Sequence, residues 1–315
     1  MIRLLILLII SSSTLPRAAQ AYDPWRKGPC PQIDPANKDL DGVPFCPCAV
    51  KDDESVWSLF RCAIQQATSF HAPKETEKAS MSAMLESWQN HRSADLLKAA
   101  DELNLQVCRV SQLNNAQPDT FLVIYVKPGV TDYSGTFFML RETRHSKVLV
   151  IGPHDDSDST WIDSKLATSA TLAMGTISNG HMRGKVRKEG DPKGYADFVH
   201  TPGGSKADLG TFAVEKICAM NKASVVFHVH GMHDQTKVLY RARENTVLAK
   251  AYEATIIANT YVREFASLNA YFTIDPIVNT IWYVKTEIPS GIHRQDRTAL
   301  ARMVIDFEKN TWAWP

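Results

Sequence analysis

The sequence predicts an α/β fold with a mixed, largely parallel sheet flanked by helices. Apolar residues recur first at helical spacing and then in short strand-like runs. From about residue 147 onward, helix-like and strand-like segments alternate, the pattern left by parallel strands joined through helices. The run Lys147 to Ile151 is dominated by β-branched and apolar residues, which suits a strand covered on both faces.

In chain order, the spacing predicts helices over Val56–Ser69, Ser80–His91 and Ser93–Leu103. Strands are expected at Phe121–Val126, Gly135–Leu140 and Lys147–Ile151. A helix-like stretch, Trp161–Met174, follows. Another, Asp208–Met220, leads directly into a strand at Ser224–Val229. Asn245–Phe265 reads as a long helix, Thr280–Thr286 as a strand and Arg297–Lys309 as a closing helix.

Ahead of these elements, Arg3 precedes an apolar run, Leu4 to Ile10, and a polar stretch ending in Ala19-Gln20-Ala21. This is the form of a cleaved secretory signal over residues 1–21, so the mature chain is expected to start at Tyr22, outside the cytoplasm (secreted or periplasmic). No later segment is long and apolar enough to span a bilayer. Residues 22–55 are expected to form an irregular Cys- and Pro-rich arm, and residues 56–315 a single domain. Six cysteines in an exported chain point to structural disulfides that staple the arm to the body. Within the arm, "NKDLDG" (Asn37 to Gly42) matches the first half of a calcium loop, but Cys48 stands where the twelfth-position Glu belongs. It therefore reads as an Asx-rich turn. The balance of 35 basic and 34 acidic residues argues against nucleic acid as a partner.

Three strand ends carry the candidate chemistry. "VLVIGPHDDSDS" ends a strand at Gly152-Pro153 and turns out through His154, Asp155, Asp156 and Asp158. Open α/β sheets bind ligands at the carboxyl ends of their strands, and imidazole with carboxylate suits zinc. "SVVFHVHGMHD" places His228 and His230 on one face of a strand, with His230 expected where the strand runs out into Gly231. "IWYVKTEIPSGIHR" brings Glu287 to the end of a third strand, where a carboxylate can accept a proton from an activated water. Between them, "NGHMRGK" offers His181 and Arg183 in a loop, and "ADFVHTPGG" offers Asp197 and His200. The guanidinium of Arg183 is suited to a substrate carboxylate.

The order of these pieces resembles the zinc carboxypeptidase superfamily, and more closely the compact hydrolases around poly-γ-glutamate hydrolase. The resemblance spans roughly Lys147 to Arg294. It implies a zinc-exopeptidase-like (phosphorylase/hydrolase-like) architecture and one zinc ion held by His154, Asp158 and His230. Glu287 becomes the general base, Arg183 the arginine that positions or polarises substrate, with His181 beside it. The family pattern is His-x-x-Glu; here the third position after His154 is Ser157, so the acid is assigned to Asp158, with Asp156 as the alternative. The implied activity is hydrolysis of an amide bond in a peptide or acyl-amino acid. A different class remains open: "HVHGMH" (His228, His230, Met232, His233) could be a self-contained copper site in a non-catalytic carrier. So does a binding protein built on a degenerate hydrolase scaffold. No G-x-S-x-G elbow is present to support a serine hydrolase.

Overall fold

The computed structural model describes residues 32–47, 71–111, 120–130, 137–142, 148–152, 173–178, 209–221, 225–232, 238–242, 262–267 and 282–289. Its described helices are α1 (Glu75–Gln89), α2 (Ser93–Glu102) and α3 (Leu209–Asn221). The strands are β1 (Leu105–Ser111), β2 (Thr120–Val126), β3 (Phe137–Arg141), β4 (Val148–Gly152) and β5 (Ala173–Ser178). They continue as β6 (Val225–Met232), β7 (Val238–Ala242), β8 (Val262–Ser267) and β9 (Trp282–Pro289). Among the described residues these form a nine-stranded sheet in the order β1-β2-β3-β5-β4-β6-β9-β7-β8.

The sheet is mixed, but the expectation that it is largely parallel needs correction. β5, β4, β6 and β9 run parallel at its centre, as do β7 and β8. By contrast, β1, β2, β3 and β5 pair antiparallel in succession, and so do β7 and β9. Short links join β1 to β2 and β2 to β3, and links of that length favour an antiparallel meander over a crossover.

α1 begins five residues earlier than the expected Ser80, because its first turn, E-T-E-K, carries no apolar period. Charge holds this turn instead. Glu77 accepts the Lys74 backbone N–H at 2.7 Å and lies 2.7 Å from His71 Nε2, while Glu75 and Glu77 face the positive end of the helix dipole. Asn104, with φ 55°, ends the α2 segment in the left-handed region that Asn tolerates. Its carbonyl accepts the Lys127 N–H at 2.9 Å.

Met81, Met84, Leu85 and Trp88 of α1 and Leu96, Ala99 and Ala100 of α2 are buried. α1 packs against α2 and α3, and α2 packs against β1. Beneath them β2 is buried from Phe121 to Val126, on both faces. The Trp88 indole N–H donates to the Arg141 carbonyl at 3.1 Å, and the Arg141 guanidinium lies 4.8 Å from the centre of the Phe121 ring. At Gly175, where β3 and β5 meet, a Cβ would sit 2.3 Å from the Met139 carbonyl oxygen, so close backbone approach requires the glycine.

The N-terminal segment is tied to the free edge of β1. Cys46 forms a disulfide with Cys108 across a sequence separation of 62. The Cys46 N–H donates to the Arg109 carbonyl at 3.0 Å, and the Arg109 N–H donates to the Pro44 carbonyl at 2.8 Å. Arg109 gathers Asp39, Asp41 (3.5 Å) and Glu142 (2.5 Å) around its guanidinium.

Two expectations are overturned, and two strands lie where none is expected. Ala173 and Met174, assigned to a helix, open strand β5. Val262 to Phe265, the end of the expected long helix, lie in β8, which is paired to β7. β1 and β7 were not anticipated at all; Cys108 and Arg109 interrupt the apolar alternation of β1 because they serve the arm. The expected helices at Val56–Ser69 and Arg297–Lys309, and Trp161 to Leu172, lie outside the described residues.

Two outcomes follow from this packing. Cys108→Ser should destabilise the fold by about 2–4 kcal/mol in denaturant unfolding, since the lost cross-link closes a long loop. Tyr125 is 2% exposed, and its hydroxyl has no hydrogen-bond partner among the described residues. Burial holds that hydroxyl well above the ordinary tyrosine range. The folded-state value is raised, so the stability it contributes is intact below pH ~10 and declines as pH rises, because only the unfolded chain ionises there. Tyr125→Phe should therefore stabilise the protein by about 1 kcal/mol and flatten its alkaline stability loss.

Candidate metal and catalytic site

β4 lies between β5 and β6. The chain leaves β4 for β5 on one side, and β6 occupies the other, so a topological switch point falls between β4 and β6. Ligands of open α/β sheets bind beyond the carboxyl ends of strands at such a point. The register aligns those ends. Ile151 of β4 pairs with His228 of β6, and His228 pairs with Lys285 of β9. Two residues further along, His230 pairs with Glu287.

Alternation then sorts these strands by face. His228 and His230 of β6 share a face with Lys285 and Glu287 of β9. The antiparallel register with β7 adds Leu239 and Arg241 to that face, and β8 adds Glu264 and Ala266. On the other face stand Phe227, Val229, Val284, Thr286, Tyr240 and Ala242. Interior strands of a covered sheet are normally apolar on both faces. Here every His, Lys, Arg and Glu of β6, β9 and β7 falls on one face, toward the carboxyl ends of β6 and β9.

Of the residues anticipated from sequence, His230 and Glu287 are thus brought to directly neighbouring positions, about 4.8 Å apart in strand spacing. His230 is not where the strand ends, as expected: β6 continues through Gly231 to Met232 because β9 keeps pairing with it as far as Pro289. His154, Asp156, Asp158, His181, Arg183, Asp197, His200 and His233 lie outside the described residues. Among the described residues no group of three potential metal ligands occurs, since β4 stops two residues short of His154. Lys285, Arg241 and Glu264 were missed as site candidates. The signal for Lys285 was the "VKTE" alternation, which puts it on the Glu287 face; Arg241 and Glu264 needed the pairing of β7.

The arm motif Asn37 to Gly42 is a turn, as its Asx content suggested. The Asp39 carboxylate accepts the N–H groups of Asp41 (2.9 Å) and Val43 (3.0 Å), and Gly42 takes φ 81°. Its other oxygen is paired to Arg109, so a guanidinium stands where a cation would be bound. Calcium at about 1 mM, the weak end of known loop affinities, should leave the thermal midpoint unchanged; a rise of several degrees would contradict this arrangement.

No protein-family model matches the chain, and no curated protein matches it in sequence. Several solved structures are similar to it. A metallo-carboxypeptidase from Burkholderia cenocepacia has a TM-score of 0.41 at 14% identity, over 70% of this chain and 69% of that one. A bacteriophage poly-gamma-glutamate hydrolase has a TM-score of 0.39 at 14% identity, over 57% of this chain and 90% of that one. The succinylglutamate desuccinylase of Chromobacterium violaceum has a TM-score of 0.41 at 8% identity, over 73% and 74% of the two chains.

Proposed function

We propose that the protein is an exported, zinc-dependent hydrolase of amide bonds in peptides or acyl-amino acids. The observation that carries this reading is the register pairing of His230 with Glu287 at the carboxyl ends of parallel strands, beside the strand that leads into His154. A metal ligand and a proton acceptor need to be neighbours if both are to act on one water, and adjacent strands deliver that spacing.

The donor set fits zinc: two imidazoles, His154 and His230, and one carboxylate, Asp158 or Asp156, leave a coordination position free. Zinc bound there supplies Lewis-acid polarisation and a water of lowered pKa. Glu287 takes the proton of the attacking water and passes it to the departing amine nitrogen. Arg183 holds a carboxylate or carbonyl oxygen of the substrate through its two-pronged guanidinium, with His181 beside it. Residues 1–21 act as a signal peptide, and residues 22–55 form an arm stapled to the catalytic domain, 56–315. The Cys46–Cys108 disulfide supports an oxidising compartment. No helix of the described residues is long and apolar enough to cross a membrane.

Glu287→Gln should lower kcat by roughly 100- to 10,000-fold on an amide substrate while the purified protein keeps its zinc. Unchanged turnover in that variant would rule out Glu287 as the base. His154→Ala should lose zinc, read by elemental content. If it instead retained bound copper, the metal would sit on His228, His230, Met232 and His233, and the protein would be a carrier.

A further inference from the structure

One pleat repeat inward from the His230–Glu287 pair, the same face carries a row of basic residues. His228, Lys285 and Arg241 are direct register neighbours across β6, β9 and β7. β9 and β7 are interior strands, flanked on both sides by other strands. Like charges placed directly opposite on paired strands are destabilising, and Lys and Arg are rarely retained inside a sheet without a counter-charge. The position directly opposite Lys285 on β6 is His228, and that opposite Arg241 on β8 is Ala266; neither is a carboxylate. Glu287 and Glu264 are diagonal to Arg241 on this face, and Glu287 is engaged by the reaction in the reading above.

We propose that Lys285 and Arg241 bind a carboxylate of the substrate next to the His230–Glu287 pair, making the enzyme selective for anionic substrates. This rests on the hydrolase reading of the site. The row lies about 6.5 Å from Glu287 along the strand, the reach of a carboxylate carried on the residue whose amide bond is cut. A guanidinium beside an ammonium suits that group, offering a planar fork and a mobile point charge. Two carboxylates have this chemistry, an acidic side chain and a free carboxy-terminus.

The test uses the full chain, with and without zinc, and three probes: N-acetyl-Ala-Glu, N-acetyl-Ala-Gln and N-acetyl-Ala-Gln amide. Binding is read by calorimetry and turnover by amine release. Wild type should bind the amide least tightly. Arg241→Met and Lys285→Met should each weaken an anionic probe roughly 10- to 100-fold and leave the amide unchanged. Loss between Glu and Gln assigns the side-chain carboxylate; loss confined to the step from Gln to its amide assigns the terminal one. The charge-keeping variants Arg241→Lys and Lys285→Arg should retain most of the preference, and they stand in if a Met variant does not fold. Equal binding of all three probes by wild type, or an equal loss on all three in the variants, overturns the proposal. Calorimetry separates the two readings: anion preference kept by a zinc-loaded wild type that releases no amine from any probe would refute the hydrolytic assignment and leave the carboxylate site standing.

Discussion

Parallel pairing of β4, β6 and β9 is the constraint on which the candidate chemistry depends. Parallel strands all run out at the same end of a sheet, so three segments far apart in sequence deliver their last residues to one place. Register decides the rest. A slip of one residue between β6 and β9 would move Glu287 to the face opposite His230 and scatter the histidines and charged residues over both faces. The same slip would carry Val284 of β9 to the face of His230, away from the face of Phe227 and Val229.

The amino-terminal half does different work. β1 to β3 form an antiparallel meander whose members, β2 above all, are buried on both faces. Helices α1 and α2 pack together beside it, and α3 joins α1 through Lys216 with Glu86 at 2.7 Å and Gln89 with the Met220 carbonyl at 3.2 Å. The edge of β1 is occupied by the arm through one disulfide and one arginine surrounded by carboxylates. An unpaired edge invites association with other chains, and this attachment closes part of it.

Much of the element list was legible in the sequence wherever a single period ran long enough to register. α2, α3, β2, β4 and β9 fall within a few residues of expectation for that reason. Failures were local and have a common cause. β5 and β8 sit in stretches that also fit a helical period, and only their partners, β4 with β3 and β7, make them strands. The first turn of α1 is polar throughout and owes its helicity to capping and charge rather than to an apolar stripe.

For the candidate site, the sequence by itself determined which side chains could do chemistry, and it placed His230 and Glu287 near the ends of strands. Strand alternation also determined that His228 shares a face with His230 and Lys285 with Glu287. Only the tertiary structure decided that β6 and β9 are neighbours, that His230 faces Glu287 in register, and that Arg241 joins Lys285. Periodicity is a property of one strand, whereas adjacency is a choice among strands made by the packing of the whole sheet.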